Sequence, residues 1–423
     1  MADIQRPRGT RDFRPEDMEI RRSAEGMMRR SFELAGYREV ATPVFEHAEL
    51  FVAKSGPQVL DQMYVFRDKG GREIALRPEL TAPVMRFYSS DLKNYPKPIR
   101  IYYFGNCFRY ERPQKGRFRE FWQLGLEYIG KRTPLAVAEV ITAAVTALIS
   151  VGLSDFQVRV GHVALLSALL AGWNIDPGRD KDLMIAIDKK DAESVKKLIR
   201  GRSDRDPAEL VDLITSIYDP DEAVRILDRM AGESGGSVTD PVGEMKEVMA
   251  LLAEYGDMIK FDPSITRGLD YYDGSVFEID APSLGAEKQI CGGGSYSLSA
   301  ALGRDVEGIG FGIGFDRIIL ALGDRDPGKK KARARFYLVT MDAGAEALSL
   351  ASRIRKRDFE CILETSNRSF KKAINFALER GCRYLLILGE NEVRSGTFAV
   401  KDLEKGEQIS MRLEDLDEYL DRL

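Results

Sequence analysis

The segment from Gly105 to Glu127 (GNCFRYERPQKGRFREFWQLGLE) most strongly limits the folds open to this chain. Its two arms have the alternation of β-strands, and a loop joins them. Residues two apart on a strand share a face, so Arg109 lies with Glu111 on the first arm and Gln123 with Glu127 on the second. A sheet face rarely buries such side chains unless a polar ligand covers them. The pattern predicts a ligand-binding hairpin; a hairpin with a solvated polar face is the alternative.

The loop between the two arms is basic. It carries Arg112, Lys115, Arg117 and Arg119, with Glu120 nearby to offset them. The net charge of the whole chain is −4, so any nucleic-acid contact must come from local patches such as this loop. A hairpin with polar walls and a basic tip is typical of an enzyme that joins a nucleotide-activated molecule to a nucleic acid.

Composition narrows the class of protein. A chain of 423 residues with 44% hydrophobic and 31% charged residues predicts a soluble protein of two or three domains. The N-terminus lacks the apolar core of a signal peptide, and no run approaches the ~18 apolar residues of a membrane span. The four cysteines form no CxxC pair, and two histidines make a zinc site improbable. We expect a cytoplasmic protein without a membrane contact or a resident metal.

Hydrophobic patterning divides the chain into regions. The strands Ile74–Arg77, Ile99–Tyr110 and Phe121–Ile129 are predicted to join one antiparallel sheet, which the helix Leu135–Val151 covers. Helical periodicity dominates from about residue 163 to 258 and predicts a helical insertion. The sequence therefore predicts an α+β domain over residues 1–325.

The C-terminal region has a different pattern. The segment GDRDPGKKKARAR is rich in Gly, Pro and charge, and it predicts a linker, which we place at residues 326–334. Strands then alternate with helices, which predicts βαβ units and a small, largely parallel sheet. We expect a small α/β domain over residues 335–423.

Several motifs resemble one family. FRYERPQKGRFREFWQLG (Phe108–Gly125) resembles motif 2 of class II aminoacyl-tRNA synthetases, especially that of the histidyl-tRNA synthetase family. TRGLDYYDGSVFE (Thr266–Glu278) resembles the histidine-recognition signature of that family, and GIGFGIGFDRIILAL (Gly308–Leu322) resembles class II motif 3. RPRGTRDFRPEDM near the N-terminus and ALRPELTAPVMR (Ala75–Arg86) are also similar to the family. The five matches follow the expected order along nearly the whole chain.

The resemblance implies a fold and a reaction. The fold is a class II catalytic domain on an antiparallel sheet, with a helical insertion and a C-terminal anticodon-binding domain. ATP, with Mg²⁺, activates L-histidine to histidyl-adenylate, and the histidyl group passes to the 3′ end of tRNA(His). Pro43 matches the proline of motif 1, which lies at a dimer interface in the family, so a homodimer is also implied.

The resemblance assigns catalysis to three arginines. Arg109 would hold the α-phosphate and the amino-acid carboxylate, Arg267 would face it across the phosphate, and Arg317 would stack on adenine and meet the γ-phosphate. The implied ATP-binding residues are Arg109, Glu111, Arg112, Arg267, Gly314 and Arg317. The residues alone leave two alternatives open. Arg109 could form a structural salt bridge with Glu111, and Arg267 could be an arginine exposed to solvent. Asp316 stands where many relatives have Glu, a change that we expect to be harmless.

The substrate imidazole needs partners for its ring nitrogens. Glu127, with Tyr271 close by, would bind one of them. The implied histidine-binding residues are Glu79, Leu80, Thr81, Gln123, Glu127, Tyr271, Tyr272 and Tyr296. Without the resemblance, a buried pair such as Tyr272 and Tyr296 is more often part of a hydrophobic core than of a ligand site.

Glycines mark another part of the expected site. Gly308, Gly310, Gly312 and Gly314 recur at every second position, which on a strand leaves a flat face for a ligand's ring or ribose. Close packing of the strand on a helix is the alternative. Many family members have GGRYDGL where this chain has GGGSYSL, so two serines, at 295 and 297, replace Arg and Asp in what we expect to be a loop.

The implied tRNA contacts are Gln114, Lys115, Arg117 and Arg119 in the motif 2 loop. A catalytically silent relative, the regulatory subunit of ATP phosphoribosyltransferase, is the main alternative function. Such relatives lack the anticodon-binding domain, and their catalytic arginines are eroded. This chain keeps the three arginines and has a predicted C-terminal domain after the linker. A class IIa synthetase for another amino acid is disfavoured by RGLDYY and by Glu127.

Overall fold

The computed structural model describes residues 4–55, 57–112, 116–176, 179–202, 206–233, 239–265, 272–297, 306–323, 325, 327, 334–366 and 368–423. The chain divides into two units, Met1–Gly328 and Lys329–Leu423. Among these described residues, no helix is both long and apolar enough to cross a membrane.

The strands of the first unit form two sheets. They are β1 (Arg38–Glu39), β2 (Phe45–His47), β3 (Val65–Arg67), β4 (Glu73–Leu76), β5 (Ile99–Phe108), β6 (Glu120–Ile129), β7 (Gln157–His162), β8 (Ile259–Phe261), β9 (Tyr272–Asp280), β10 (Gln289–Ser297) and β11 (Glu307–Gly314). The large sheet has the order β1-β5-β6-β11-β10-β9-β7-β8. Its neighbours are antiparallel except at the two edges, where β1 pairs with β5 and β7 with β8 in parallel. The predicted antiparallel-rich sheet is confirmed.

Helices cover one face of the sheet and form a separate group between β7 and β8. They are α1 (Pro15–Leu34), α2 (Ala48–Ser55), α3 (Thr81–Phe87), α4 (Pro134–Ser150), α5 (Val163–Ala171), α6 (Lys181–Asp188), α7 (Ala192–Ile199), α8 (Pro207–Thr215), α9 (Pro220–Glu233), α10 (Thr239–Leu251) and α11 (Phe315–Leu322). Shorter turns of 3₁₀ or π type span Pro57–Gln62, Tyr88–Leu92, Ala253–Met258 and Pro282–Glu287. The helices α5 to α10 occupy the stretch of chain where the sequence predicts an insertion.

The hydrophobic core lies between the sheet and the helices α1 and α4. Leu124 of β6 and Phe311 of β11 are buried there with Phe32 of α1 and Val140 and Ala144 of α4. The rings of Phe32 and Phe311 meet edge to face, with centroids 5.8 Å apart. Each such buried side chain contributes about 1.5–3 kcal/mol of burial free energy. Because side chains alternate, this apolar packing leaves the opposite face of β6 and β11 to the glycines and polar residues of the motifs.

The strand predicted at 74–77 does not join the large sheet, so that prediction is wrong. As β4, it pairs on one side with β2 and on the other with β3, in an antiparallel sheet of its own. Both of its edges are therefore occupied. Arg77, which follows β4, links this small sheet to the large one, because its Nε donates to the carbonyl of Asn106 at 2.8 Å and its Nη1 to that of Thr42 at 2.8 Å.

The second unit is a mixed α/β domain. Its elements are β12 (Phe336–Met341), α12 (Gly344–Lys356), β13 (Cys361–Leu363), α13 (Phe370–Glu379), β14 (Tyr384–Gly389), α14 (Glu390–Ser395), β15 (Thr397–Asp402), β16 (Gln408–Arg412) and α15 (Leu416–Asp421), with a 3₁₀ turn at Leu413–Asp415. The sheet order is β13-β12-β14-β15-β16. The first three strands are parallel and β15 and β16 add an antiparallel hairpin. This agrees with the alternation of strands and helices in the sequence.

Candidate functional site

The register of the large sheet brings the motifs together on one face. On β6, Gln123 and Glu127 lie opposite Gly314 and Gly310 of β11. On the other side of β6, the facing positions belong to β5, where Tyr103 pairs with Gly125. Cross-strand partners share a face, so motif 2 and motif 3 present their polar side chains and glycines to the same space.

One end of this face is closed around Glu127, which is only 1% exposed. Its carboxylate accepts hydrogen bonds from the hydroxyls of Tyr103 at 3.0 Å and Tyr296 at 2.8 Å. Burial, and then the charge of Glu127, raise the pKa of both tyrosines well above the ordinary value, so the phenols remain neutral donors. Tyr272 is likewise held neutral, because burial raises its pKa. The arrangement gives a buried carboxylate oriented by two fixed donors.

The segment that begins α3 extends this closed end. The carboxylate of Glu79 accepts the backbone N–H groups of Thr81 at 2.7 Å and Ala82 at 2.9 Å, which satisfies donors at the helix N-terminus. The Thr81 hydroxyl lies 3.2 Å from that of Tyr103. Tyr103 therefore connects Thr81 to Glu127 through hydrogen bonds. Leu80 is buried in the apolar cluster that contains Tyr103 and Tyr296.

The glycines of β11 serve two different purposes, which corrects the expectation of one flat face. A Cβ on Gly310 would lie 1.8 Å from the Glu127 Oε2, and a Cβ on Gly308 would lie 2.6 Å from the Tyr296 ring. Protein side chains therefore fill the space above these two glycines. Above Gly312, by contrast, the nearest atom is Gln123 Nε2 at 3.7 Å, so this part of the face is open.

The open end of the face is the floor of a cavity of about 1070 Å³. Predicted site residues that line it are Arg109, Glu111, Arg112, Arg117, Gln123, Gly314 and Arg317. Five of these seven residues are charged, and four of the five are arginines. The cavity can therefore hold a polyanion of the size of a nucleoside triphosphate.

Arg109 lies just beyond the strand on which the sequence analysis placed it. Because β5 ends at Phe108, Arg109 and Glu111 belong to the connection that follows it. The Arg109 Nε donates to the carbonyl of Pro78 at 2.9 Å, and its guanidinium stands 5.2 Å from the centroid of the Phe121 ring. The nearest Glu111 oxygen is 3.9 Å from Nη1, which is too long for a hydrogen bond. Backbone and ring contacts thus hold Arg109 more firmly than the Glu111 carboxylate does.

Arg317 is fixed at the opposite wall by backbone carbonyls. Its Nη1 donates to Gln289 at 2.5 Å and its Nε to Gly116 at 3.2 Å. The preceding residue, Asp316, is buried and forms ion pairs with Arg11 at 2.7 Å and Arg21 at 2.8 Å. Asp316 also accepts a hydrogen bond from the backbone N–H of Trp122 in β6 at 2.7 Å. It therefore joins the start of α11 to the sheet beside the site.

The basic loop of motif 2 is described only in part. Gln114 and Lys115 lie outside the described residues. Arg117 lines the cavity, with its Nη1 3.7 Å from Glu111 Oε2. Arg119 donates from Nε to the Glu111 carbonyl at 3.2 Å, and its guanidinium stands 4.2 Å from the centroid of the Tyr110 ring.

Two further predicted residues, Arg267 and Tyr271, also lie outside the described residues. Their neighbours in sequence do belong to the site. Ser264 and Ile265 line the cavity, and Tyr272 begins β9 beside the closed end.

GGGSYSL is a strand rather than the expected loop. Its first six residues complete β10, which pairs with β9 and β11 along its length. Ser295 is buried, and it faces away from the glycine-rich side because it is offset by one position from Gly294 and Tyr296. The serine that replaces the usual Arg is therefore buried on the face of the sheet opposite the glycine-rich side.

A charged cluster that the sequence did not predict lies at the far side of the cavity. Arg159 of β7 binds three carboxylates, those of Asp262 at 2.6 Å, Glu278 at 2.5 Å and Asp280 at 3.0 Å. Lys190, which follows α6, also reaches Asp262 at 2.9 Å. One signal was available, because Arg159 interrupts the apolar strand QVRV. Its partners are too far away in sequence to be inferred from spacing.

Comparisons with known proteins agree with this geometry. A family profile described as histidyl-tRNA synthetase matches residues 9–318, and one described as an anticodon binding domain matches residues 326–423. A histidine–tRNA ligase of Archaeoglobus fulgidus is 45% identical over 417 residues, which cover 98% of each chain.

Solved structures show the same fold. A histidyl-tRNA synthetase from Nostoc sp. PCC 7120 superposes with a TM-score of 0.83 at 23% identity and full coverage of both chains. A Bacillus halodurans protein described as an ATP phosphoribosyltransferase regulatory subunit/histidyl-tRNA synthetase gives a TM-score of 0.77 at 26% identity, covering 91% of this chain and 98% of the other.

The large sheet, its glycine-lined face and the three motifs define the catalytic fold of a class II aminoacyl-tRNA synthetase. The chain belongs to the histidyl-tRNA synthetase family. The regulatory-subunit alternative is not favoured, because the matched relatives are named as ligases over the full chain and the C-terminal unit matches an anticodon-binding domain.

Proposed function

We propose that this protein is a histidine–tRNA ligase that activates L-histidine with ATP and transfers it to tRNA(His). The observation that carries the proposal is the buried Glu127 carboxylate at the closed end of a sheet face whose open end carries Arg109 and Arg317. A carboxylate in a pocket of neutral tyrosines suits an imidazole N–H, and the arginines suit phosphate and carboxylate oxygens.

In the first step, the histidine carboxylate attacks the α-phosphorus of ATP. Glu127 binds one imidazole nitrogen and thereby fixes the tautomer, while Glu79, Thr81 and Gln123 hold the α-amino group. Leu80, Tyr272 and Tyr296 form the walls of this pocket, and we assign Tyr271 to the same pocket from its motif. Positioning supplies much of the rate, because the reacting oxygen and phosphorus must meet in line.

The developing charge on the phosphoryl group is neutralised by arginines. Arg109 acts on the α-phosphate from the motif 2 wall, and we place Arg267 on its other side. Arg317 stacks on the adenine from the motif 3 helix, and Gly314 leaves room for the nucleotide. Preorganised donors of this kind each contribute about 3–4 kcal/mol to lowering a barrier. Glu111 and Arg112 complete the nucleotide site at the cavity mouth.

Mg²⁺ would enter with the ATP phosphates. Within the described part of the chain, no three His, Cys, Asp or Glu side chains are grouped as a metal site. A Mg²⁺ ion bound chiefly by phosphates and water needs only one or two carboxylates, and Glu111 and Glu278 line the cavity. These two residues are our proposed protein ligands.

The tRNA would bind through both units. The 3′ end reaches the cavity past the motif 2 loop, where Gln114, Lys115, Arg117 and Arg119 would contact phosphate. We propose that residues 335–423 read the anticodon and that 326–334 link them to a catalytic domain of residues 1–325, with residues 163–258 as its insertion. Such phosphate contacts make binding weaken steeply with salt. Because charged tRNA is used in protein synthesis, we propose a cytoplasmic location.

We also propose a homodimer that forms through the small sheet and motif 1. Phe45 of β2 and Phe66 of β3 flank β4, and their pairing with Leu76 and Ile74 puts both rings on one face. They are 58% and 46% exposed, which is unusual for two phenylalanines on one sheet. A second copy of the chain would cover them.

ATP–pyrophosphate exchange with each of the twenty amino acids supplied alone tests the proposal. We expect exchange with histidine only, followed by histidine-dependent charging of tRNA(His). Exchange with another amino acid would overturn the assigned specificity. Histidine binding without any exchange would instead make the regulatory function the leading one.

A further inference from the structure

The helical group between β7 and β8 is tied to the catalytic sheet by a lysine that the reaction above does not use. Lys190 lies between α6 and α7, and its Nζ donates to Asp262 Oδ1 at 2.9 Å and to Ser264 Oγ at 2.7 Å. Asp262 is completely buried. It also accepts the Ser264 hydroxyl at 2.6 Å and its backbone N–H at 3.0 Å. The side chains of Lys190, Asp262 and Ser264 are therefore all hydrogen-bonded to one another, which joins Lys190 to the segment just after β8.

The backbone at Lys190 is in a conformation that lysine rarely adopts. Its φ is +54°, the left-handed region that favours glycine or asparagine. A side chain with a Cβ is sterically disfavoured there. Burial lowers the pKa of Lys190 while Asp262 opposes the shift, so the ammonium is also partly removed from water. Both the backbone conformation and the burial of the ammonium group are unfavourable for a lysine. The hydrogen bonds of its side chain must therefore compensate for them.

A second contact of the same kind joins the helical group to β9. Glu244 of α10 accepts the hydroxyl of Ser275 at 2.6 Å. Its carboxylate also lies 3.8 Å from His162 Nε2 at the end of β7. Ser264 and Ser275 therefore both contact the helical group. In the sequence, Ser264 precedes the motif residues 266–271 and Ser275 follows them.

The contacted segment is part of the cavity wall. Ser264 and Ile265 line the cavity, and so do Lys189 and Lys190 from the helical group. In the sequence, Arg267 follows Ser264 by three residues. A shift at Asp262 would therefore move the cavity wall and the chain that leads into the histidine-recognition signature.

We propose that Lys190 is a positioning residue for the activation step, which holds the Asp262–Ile265 wall so that Arg267 acts on the α-phosphate. The proposal rests on the function proposed above. Lys190 acts through the Asp262 carboxylate and the Ser264 hydroxyl, to which its ammonium group is hydrogen-bonded. Glu244 supports the other side of the same motif through Ser275. The helical group is thus a structural part of the adenylation site.

Histidine-dependent pyrophosphate exchange by Lys190→Met tests this in the full-length protein. We expect kcat to fall roughly tenfold to a hundredfold, because small misplacements of reacting groups cost that much. KM for histidine and ATP should change by less than about twofold, and Lys190→Arg should recover most of the rate. Lys246→Met is the matched control, because its Nζ pairs with Asp228 at 2.5 Å within the helical group. The control should keep the wild-type kcat.

A double-mutant cycle separates positioning from general loss of structure. Single-turnover adenylate formation is measured for Arg267→Ala with and without Lys190→Met. If Lys190 acts through Arg267, the second change costs almost nothing in the Arg267→Ala background. Equal losses in both backgrounds would overturn the proposal. If Lys190→Met does not fold, Ser264→Ala removes one of its two partners and is tested in the same cycle.

The two hypotheses fail in different ways. An unaltered protein without histidine-dependent exchange would overturn the proposed function and this inference together. An active unaltered protein with full kcat in folded Lys190→Met would overturn this inference alone. A drop in kcat equal to that of Lys246→Met would have the same meaning.

Discussion

The two ends of the glycine-lined face differ in what fills them. At the Glu127 end, Gly310 and Gly308 make room for the protein's own carboxylate and tyrosine ring. At the Arg317 end, Gly312 leaves its space to the cavity. The same residue type at alternate positions of one strand thus builds a filled pocket at one end and an open floor at the other.

This difference teaches how one sheet can meet two requirements. Discrimination of a small side chain needs buried polar groups whose partners are left unsatisfied by the wrong ligand. A large polyanion needs an accessible cavity and several cations. The closed end meets the first requirement and the open end the second, so changes at the two ends should affect different kinetic constants.

The largest effect is expected at the closed end. Glu127→Gln removes the charge that orients the imidazole, and it should lower kcat/KM for histidine by at least about 10³-fold. Pyrophosphate exchange at varied histidine concentration measures this. Glu364→Gln is a matched control, because Glu364 is also a buried carboxylate that accepts a tyrosine hydroxyl, from Tyr337 in the second unit. A Glu127→Gln protein with normal histidine dependence would contradict the assignment.

At the open end, Arg317→Ala should lower kcat of exchange by about 10²–10³-fold, as expected for the loss of one preorganised donor. KM for ATP should rise, whereas dissociation of histidine measured without ATP should stay within about twofold. Equal weakening of histidine binding would mean that the two ends are not separable in the way that we describe.

A pair of glycine substitutions tests the comparison most directly. Gly310→Ala forces a methyl group onto Glu127 and the Leu126 carbonyl, so it should lower the melting temperature and abolish histidine binding. Gly312→Ala meets no atom closer than 3.7 Å, so the protein should fold normally. Its methyl group should raise KM for ATP roughly tenfold by occupying the floor of the cavity. Similar effects of both changes would break the comparison.

The smallest effect is expected at Cys107, which shares the face of the sheet with Tyr103 and Gln123. Cys107 is buried, its Sγ lies 3.3 Å from the Gln123 Oε1, and burial raises the pKa of the thiol to about 12. The thiolate is the reactive form, so Cys107 should resist alkylation at pH 8. Cys107→Ala should change exchange rates less than about threefold. Rapid labelling of Cys107, detected by mass spectrometry of the folded protein, would show that the open end extends past Gln123 into the apolar cluster that contains this thiol.

Local patterns in the sequence were enough to predict most of the fold, and the resemblance of its motifs named many of the residues that line the cavity. Alternation located β6, whose face carries Gln123 and Glu127, because side-chain direction in a strand depends only on position. The α/β unit followed from the alternation of strands and helices in the sequence. The position of β4 did not, because the choice between two sheets depends on which distant edges are available for pairing.

Long-range contacts were likewise beyond the sequence. The spacing of Gly308, Gly310, Gly312 and Gly314 predicted a face without side chains, but only the structure shows that Tyr296 and Glu127 fill half of it. The Arg159 cluster combines residues more than a hundred positions apart. Such pairings are decided by sheet register, which no local pattern encodes.

The ion pair between Arg21 and Asp316 also constrains how the molecule is made. Its two residues are separated by 295 positions, and the contact fastens the first helix of the chain to the last helix of the catalytic unit. At about 5–20 residues per second, a ribosome needs roughly 15–60 s to synthesise the intervening chain. During that interval the Arg21 end of α1 waits for its buried partner. The final assembly of the site is therefore late in biosynthesis, and nascent chains shorter than about three quarters of the protein cannot complete it.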